Sequence, residues 1–128
     1  MIGEPLEPRI AQLQRDLLRT VGATGEPAGA GGYIRVARTA LEAVSVIGRR
    51  YRDDLPLTGW QIDAAHSAQP DHGVHGQFQL RELIADKPAW VVAAALPVGW
   101  SFLCVGNTIV EAVSPDGTTH EPMLSVDV

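Results

Sequence analysis

Apolar positions recur at helical spacing over one long stretch near the start of the chain. Ile10, Leu13, Leu17 and Val21, widened by Leu18, form one stripe and predict a helix over 8–21. Pro8 suits its first turn, Arg19 lies in its last, and Gly22 can cap its end. Residues 22–32 carry five glycines and Pro27 and read as a linker. From Tyr33 the period changes. Tyr33–Val36 is strand-like, Arg38–Ala43 a short helix, and Val44–Tyr51 a β-branched, strand-like run. A second reading is open here, because Ala40, Leu41, Val44 and Ile47 also fit one longer helix through Arg50.

Asp53-Asp54-Leu55-Pro56 is a turn, and Gly59–Ala64 a strand with Trp60 and Ile62 on one face. Asp63 alternates with Ile62 and is expected to face solvent. Residues 65–76 read as a polar loop and Gln79–Ala85 as a helix that stops before Pro88. Trp90–Leu96 is apolar enough for a buried strand or a short helix. The clearest local signal is a hairpin: Trp100–Val105 and Thr108–Val113 are β-rich runs joined by Gly106-Asn107, a loop suited to a type II′ turn. Ser114-Pro115-Asp116-Gly117 makes another turn, and Leu124, Val126 and Val128 alternate as a last strand. The sum is α+β: a single domain over 1–128, with the N-terminal helix at 8–21, the linker at 22–32 and an α+β core at 33–128, helices packed on a mainly antiparallel sheet.

The 128-residue length and the 45% hydrophobic, 20% charged composition agree with one ordinary globular domain. Charge sharpens the picture. The formal net charge is −5 and it is unevenly spread. Residues 1–52 hold eight arginines and five acids, whereas residues 53–128 hold two bases and ten acids. A chain of this sign lacks the phosphate-backbone footprint of a nucleic-acid binder. Arg49, Arg50 and Arg52 form a short basic cluster, read as a solvated strand edge pairing with Asp53 and Asp54. Cys104 is alone, so no intrachain disulfide forms, and its apolar neighbours mark a buried structural thiol. The run from Trp90 to Val105 is broken by Pro97, Gly99 and Ser101 and does not read as a membrane span. The acidic, proline-punctuated start is unlike a secretory signal, so a cytosolic protein is expected.

Candidate chemistry is sparse. His66, His72 and His75, with Asp63 and Asp71, are the one metal-like group, but they lie in a glycine-bearing stretch with no cysteine partner. A solvated polar loop accounts for them, and neither metal nor cofactor is expected. Gly29-Ala30-Gly31-Gly32 leads into a strand rather than out of one and lacks the Lys-Ser/Thr of a phosphate loop. There is no Gly-x-Ser-x-Gly elbow and no His-Glu-x-x-His. Trp60, Trp90 and Trp100 sit in apolar runs and are expected in the core.

One arrangement is informative. Ile34-Arg35-Val36-Ala37-Arg38 leads through Leu41-Glu42 to Tyr51-Arg52-Asp53, then to Thr58-Gly59-Trp60 and Pro97-Val98-Gly99-Trp100-Ser101-Phe102. Over residues 33–105 this resembles the immunity-thirty-three family of bacterial polymorphic-toxin systems. That family shows a strand with a following Arg, a Tyr-Arg-acid step, a Ser-Gly-Trp strand and a closing Pro-x-Gly-x-x-Phe. It continues after the Gly-Trp strand with an acidic Gly-Asp-Glu segment and a Tyr, where this chain reads Ala64-Ala65-His66-Ser67-Ala68-Gln69-Pro70. The resemblance implies a non-enzyme that binds and occludes a cognate toxin. Acids at turns, Asp53, Asp54, Asp63, Asp71 and Asp86, are the expected partner contacts, because an acidic surface is steered to a basic cleft. No nucleic-acid or membrane partner is expected. Two other readings stay open: a regulatory, adaptor or secretion-chaperone domain, and a divergent metal-dependent enzyme built on His66, His72 and His75.

Overall fold

The computed structural model describes residues 8–24, 32–51, 57–65 and 75–126. Helix α1 spans Pro8–Val21, as its apolar stripe predicts, and buries Ile10, Leu17, Leu18 and Val21. Gly22 ends it in the left-handed region (φ 69°). Two nested backbone bonds, Gly22 N–H to the Arg19 carbonyl and Ala23 N–H to the Leu18 carbonyl, make the end a Schellman motif.

Eight strands follow among the described residues: β1 Tyr33–Ala37, β2 Ser45–Arg50, β3 Leu57–Ala64, β4 His75–Gln79, β5 Ser101–Val105, β6 Thr108–Val113, β7 Thr119–His120 and β8 Leu124–Ser125. They form one sheet in the order β4-β1-β3-β2-β5-β6-β7, with β8 also pairing β6. β1 and β3 run parallel, and the other pairs among the described residues are antiparallel. The fold is therefore α+β with a mainly antiparallel sheet.

The ambiguity over residues 33–50 resolves as strand, 3-10 turn (Arg38–Glu42) and strand. The helical spacing there does not correspond to burial. Leu41 and Val44 are exposed (37% and 73%), whereas Val46, Gly48 and Arg50 alternate inward along β2. The stretch read as a polar loop over 65–76 contains the start of β4, which the sequence reading did not anticipate. Its glycine and glutamines are poor strand formers. Pairing with β1 from Tyr33↔Gln79 to Ala37↔His75 supplies what propensity lacks.

Helix α2 covers Leu80–Leu83 and opens on a capping box between Gln79 and Glu82. The apolar run after Pro88 is helix α3, Pro88–Ala93, with every residue buried and with Ala94, Ala95 and Leu96 buried beyond it. Pro88 takes the first helical position, where its missing N–H has no cost. α3 is apolar all round because α1, α2 and the sheet enclose it. Buried carbonyls at and beyond its C-terminal end find side-chain donors from three elements. Gln14 Nε2 donates to Val91 (2.9 Å), Trp60 Nε1 to Ala94 (2.9 Å) and Arg50 Nη1 to Leu96 (2.7 Å).

The hairpin of β5 and β6 turns at Gly106-Asn107. Gly106 has φ 58° while Asn107 stays out of the positive-φ region, the pattern of a type II′ turn. Where β2 meets β5, Gly48 lies opposite Phe102, and a Cβ at Gly48 would overlap that ring. Gly48→Ala is accordingly expected to destabilise by about 1–3 kcal/mol or more through overpacking, read as a lowered denaturation midpoint. An unchanged midpoint would show that the ring can step aside.

After β6 the turn Ser114–Gly117 closes on a Gly117 N–H to Ser114 carbonyl bond of 2.9 Å. The Ser114 hydroxyl donates to the Asp116 carboxylate, as does the Thr118 N–H (3.0 Å). These bonds lower the Asp116 pKa from 3.8 to about 2, with the Ser114 hydroxyl as the main cause. A depressed carboxyl stabilises the fold fully above its unfolded value and loses that contribution as pH falls through the folded one. The turn is expected to weaken between about pH 4 and pH 2. A carboxyl NMR titration should place Asp116 near 2, and Ser114→Ala should move it up. A midpoint near the ordinary 3.8 in the unmodified protein would contradict this.

Candidate protein-binding surface

The sheet has two unlike faces. Ile34, Val36, Val46, Trp60, Ile62, Phe102, Cys104, Ile109 and Ala112 belong to the core under the helices. The alternate positions point the other way. On β1 this brings out Arg35, on β2 Ser45, Ile47 and Arg49, and on β5 Ser101, Leu103 and Val105.

Register aligns these positions into rows across the sheet. Gln77, Arg35, Gln61, Arg49, Ser101, Val113 and Thr119 are successive partners from β4 to β7. In the neighbouring row, Asp63, Ile47, Leu103 and Glu111 are successive partners from β3 to β6. Arg35 and Arg49 stand two strand spacings apart with Gln61 between them, about 10 Å. Both are exposed. Ile47 and Leu103 are half-buried beside them.

A second feature lies at the helical side. A groove of about 590 Å³ is lined by Leu41, Phe78, Glu82, Leu83, Asp86 and Lys87. Lys87 leans over the Trp90 ring, its Nζ 5.2 Å from the centroid. Glu82 is committed to the Gln79 N–H in the capping box (3.1 Å). Asp86 is exposed on the rim of this groove.

The acids named from the sequence are therefore not one patch among the described residues. Asp53, Asp54 and Asp71 lie outside them. Asp63 does not face open solvent as expected: it is 8% exposed and accepts a bond from Gln61 Nε2 (3.3 Å). It sits on the sheet face opposite the core, whereas Asp86 follows α2 on the helical side. The arginine cluster is also divided. Arg49 and Arg50 point to opposite faces of β2, and Arg50 is buried, donating from Nε to the Thr58 carbonyl (2.9 Å) and from Nη1 to Leu96. The expectation of a solvated edge fails at Arg50 because the chain around Leu96 presents carbonyls that need a donor. Arg52 lies outside the described residues.

For the metal reading, His66 and His72 fall outside the described residues and His75 begins β4. Among the described residues, no group of three or more His, Cys, Asp or Glu is placed to hold a metal ion. Cys104 is buried, as its neighbours suggest, and burial pushes its thiol pKa up to about 12, which leaves it protonated and a poor nucleophile. Trp60, Trp90 and Trp100 are all in the core. Among the described residues, no helix is long and apolar enough to cross a membrane.

Sequence reasoning did not single out the arginine row. Strand alternation alone places Arg35 and Arg49 outward. Their alignment depends on β3 inserting between β1 and β2, which no local pattern encodes.

A family model, that of the Imm33-like domain, matches residues 13–116. The match begins inside α1 and ends in the turn after β6, so part of the N-terminal helix that the 33–105 likeness left aside belongs to the shared fold. No curated protein matches the chain, and no solved structure does.

Proposed function

The chain belongs to the Imm33-like domain family, a family of toxin immunity proteins, and from that premise we propose that it binds a cognate toxin domain and covers its active site. The observation that carries this reading is the family match over most of the chain, including the larger part of α1 and six of the strands. The role is stoichiometric binding in the cytosol rather than catalysis.

In this reading the acids act at a distance. A toxin that attacks nucleic acids or nucleotides presents a basic cleft, and the ten acids against two bases over residues 53–128 draw the two proteins together. Asp53, Asp54, Asp63, Asp71 and Asp86 are the proposed contributors. Of the two that are described, Asp86 is the exposed one. Raising salt from 0.05 to 0.5 M is expected to slow association several-fold, since exposed charges are screened over about 10 Å at 0.1 M.

The test uses the protein encoded by the adjoining gene. Co-purification in a defined stoichiometry, with rescue of cells expressing that protein, is the expected result. Failure to bind, with no rescue at matched expression, would remove the immunity reading and favour an adaptor role.

A further inference from the structure

We propose that the sheet face opposite the helices grips the toxin at its exposed arginines, with Arg35 and Arg49 engaging carboxylates on an acidic patch of that protein. The inference rests on the immunity reading and adds the contact surface and its chemistry.

Four observations converge on this face. First, the protein carries a net charge of −5, yet Arg35 and Arg49 are exposed and neither makes an ion pair with a described residue. Asp63 stands one row away on the same face and accepts a bond from Gln61 Nε2 (3.3 Å). Second, register fixes the spacing. Arg35, Gln61 and Arg49 are consecutive partners, with Gln77 and Ser101 extending the row on either side. Arginines whose backbones stand about 10 Å apart suit two separate carboxylates, each taken by a planar fork.

Third, the adjacent row supplies apolar contact. Ile47 and Leu103 are direct partners and half-buried with no helix over them among the described residues. An apolar centre beside arginines and amides is the anatomy of a protein–protein interface. Fourth, the row is preorganised. β1, β3, β2 and β5 each have a strand on both sides, so their backbone is already ordered and binding orders little beyond the side chains.

Acids and arginines then divide the work. The net negative field over residues 53–128 sets how fast the partners meet, and the arginine row sets how long they stay.

The experiment measures binding of the toxin domain encoded by the adjoining gene. Arg35→Ala and Arg49→Ala are each expected to weaken Kd about ten-fold, mostly through faster dissociation. The double reversal Arg35→Glu/Arg49→Glu is expected to weaken it at least about 100-fold and to abolish rescue, with circular dichroism and Tm unchanged. Arg35→Gln/Arg49→Gln makes the same test if the reversal perturbs folding. Arg15→Glu/Arg19→Glu on the exposed side of α1 makes an equal change in net charge and is expected to leave Kd within about three-fold. Wild-type-like binding by both arginine-row doubles would overturn the proposal. So would an equal loss in the α1 variant, which would make the effect one of bulk charge. If the unsubstituted protein itself does not bind, it is the immunity reading that fails.

Discussion

Trp60→Ala is expected to cost about 3–5 kcal/mol, the range for emptying a large aromatic site in a core. Trp60 is 2% exposed, and its ring meets Phe102 with centroids 5.0 Å apart and planes at 59°. The indole N–H holds the Ala94 carbonyl at 2.9 Å. Alanine removes the ring and also strands a buried acceptor at the end of α3. For a chain of this length, each kcal/mol lowers Tm by about 4 °C, so the variant should melt about 10–20 °C lower. Trp60→Phe separates the two effects: it refills much of the volume and leaves Ala94 without its donor. Should alanine and phenylalanine variants melt alike, the hydrogen bond would account for the loss. A Tm within about 3 °C of the unsubstituted protein for alanine would refute the packing argument.

Arg50→Met is the second large effect, about 2–4 kcal/mol. Methionine keeps the apolar stem of the side chain and removes the donors. The carbonyls of Thr58 and Leu96 then lose a bond each, and the guanidinium no longer lies over Trp60, 6.0 Å from its centroid. Lysine at this position keeps the charge but cannot place two fixed donors on carbonyls in different elements, so Arg50→Lys should recover less than half of the loss. Equal stability of the Met and Lys variants would show that the fork geometry is irrelevant. Because Arg50 and Trp60 touch, the double variant should fall short of the sum of the two losses.

These two residues also show what the sequence discloses and what it withholds. Trp60 was legible as core, because a tryptophan alternating with isoleucine in a strand-like run has one plausible destination. Arg50 was not. In sequence it is the middle of a basic cluster, and only the carbonyls at the far end of α3, contributed from 46 residues away, make burial favourable. Gln14 was invisible for the same reason: it interrupts the α1 stripe and is buried by its bond to Val91. α1 itself, the β5–β6 hairpin and its II′ turn were legible because each is specified by neighbours along the chain. β4 was missed because its residues are poor strand formers stabilised by pairing with a distant strand.

The candidate surface divides along the same line. Outward direction at Arg35 and Arg49 follows from strand period, whereas their meeting across Gln61 follows from topology. The acids chosen at turns reflect composition, and composition carries a field but does not locate a contact.

The insertion of β3 between β1 and β2 also governs how the molecule comes into being. β1 cannot complete its pairings by zipping up with the next strand; it must wait for β3 and then β4, while β2 waits for β5, whose partner residues lie more than 50 positions on. Such non-local closure makes folding slow for a chain of this size, in the range of milliseconds to seconds rather than microseconds. During synthesis the ordered arginine row is incomplete until residue 101 has left the ribosome, which at about 5–20 residues per second takes several seconds from initiation. On the proposed immunity role, a cell is guarded by molecules finished beforehand and held in stock, and its margin of safety is the lifetime of the folded state rather than the speed of new production.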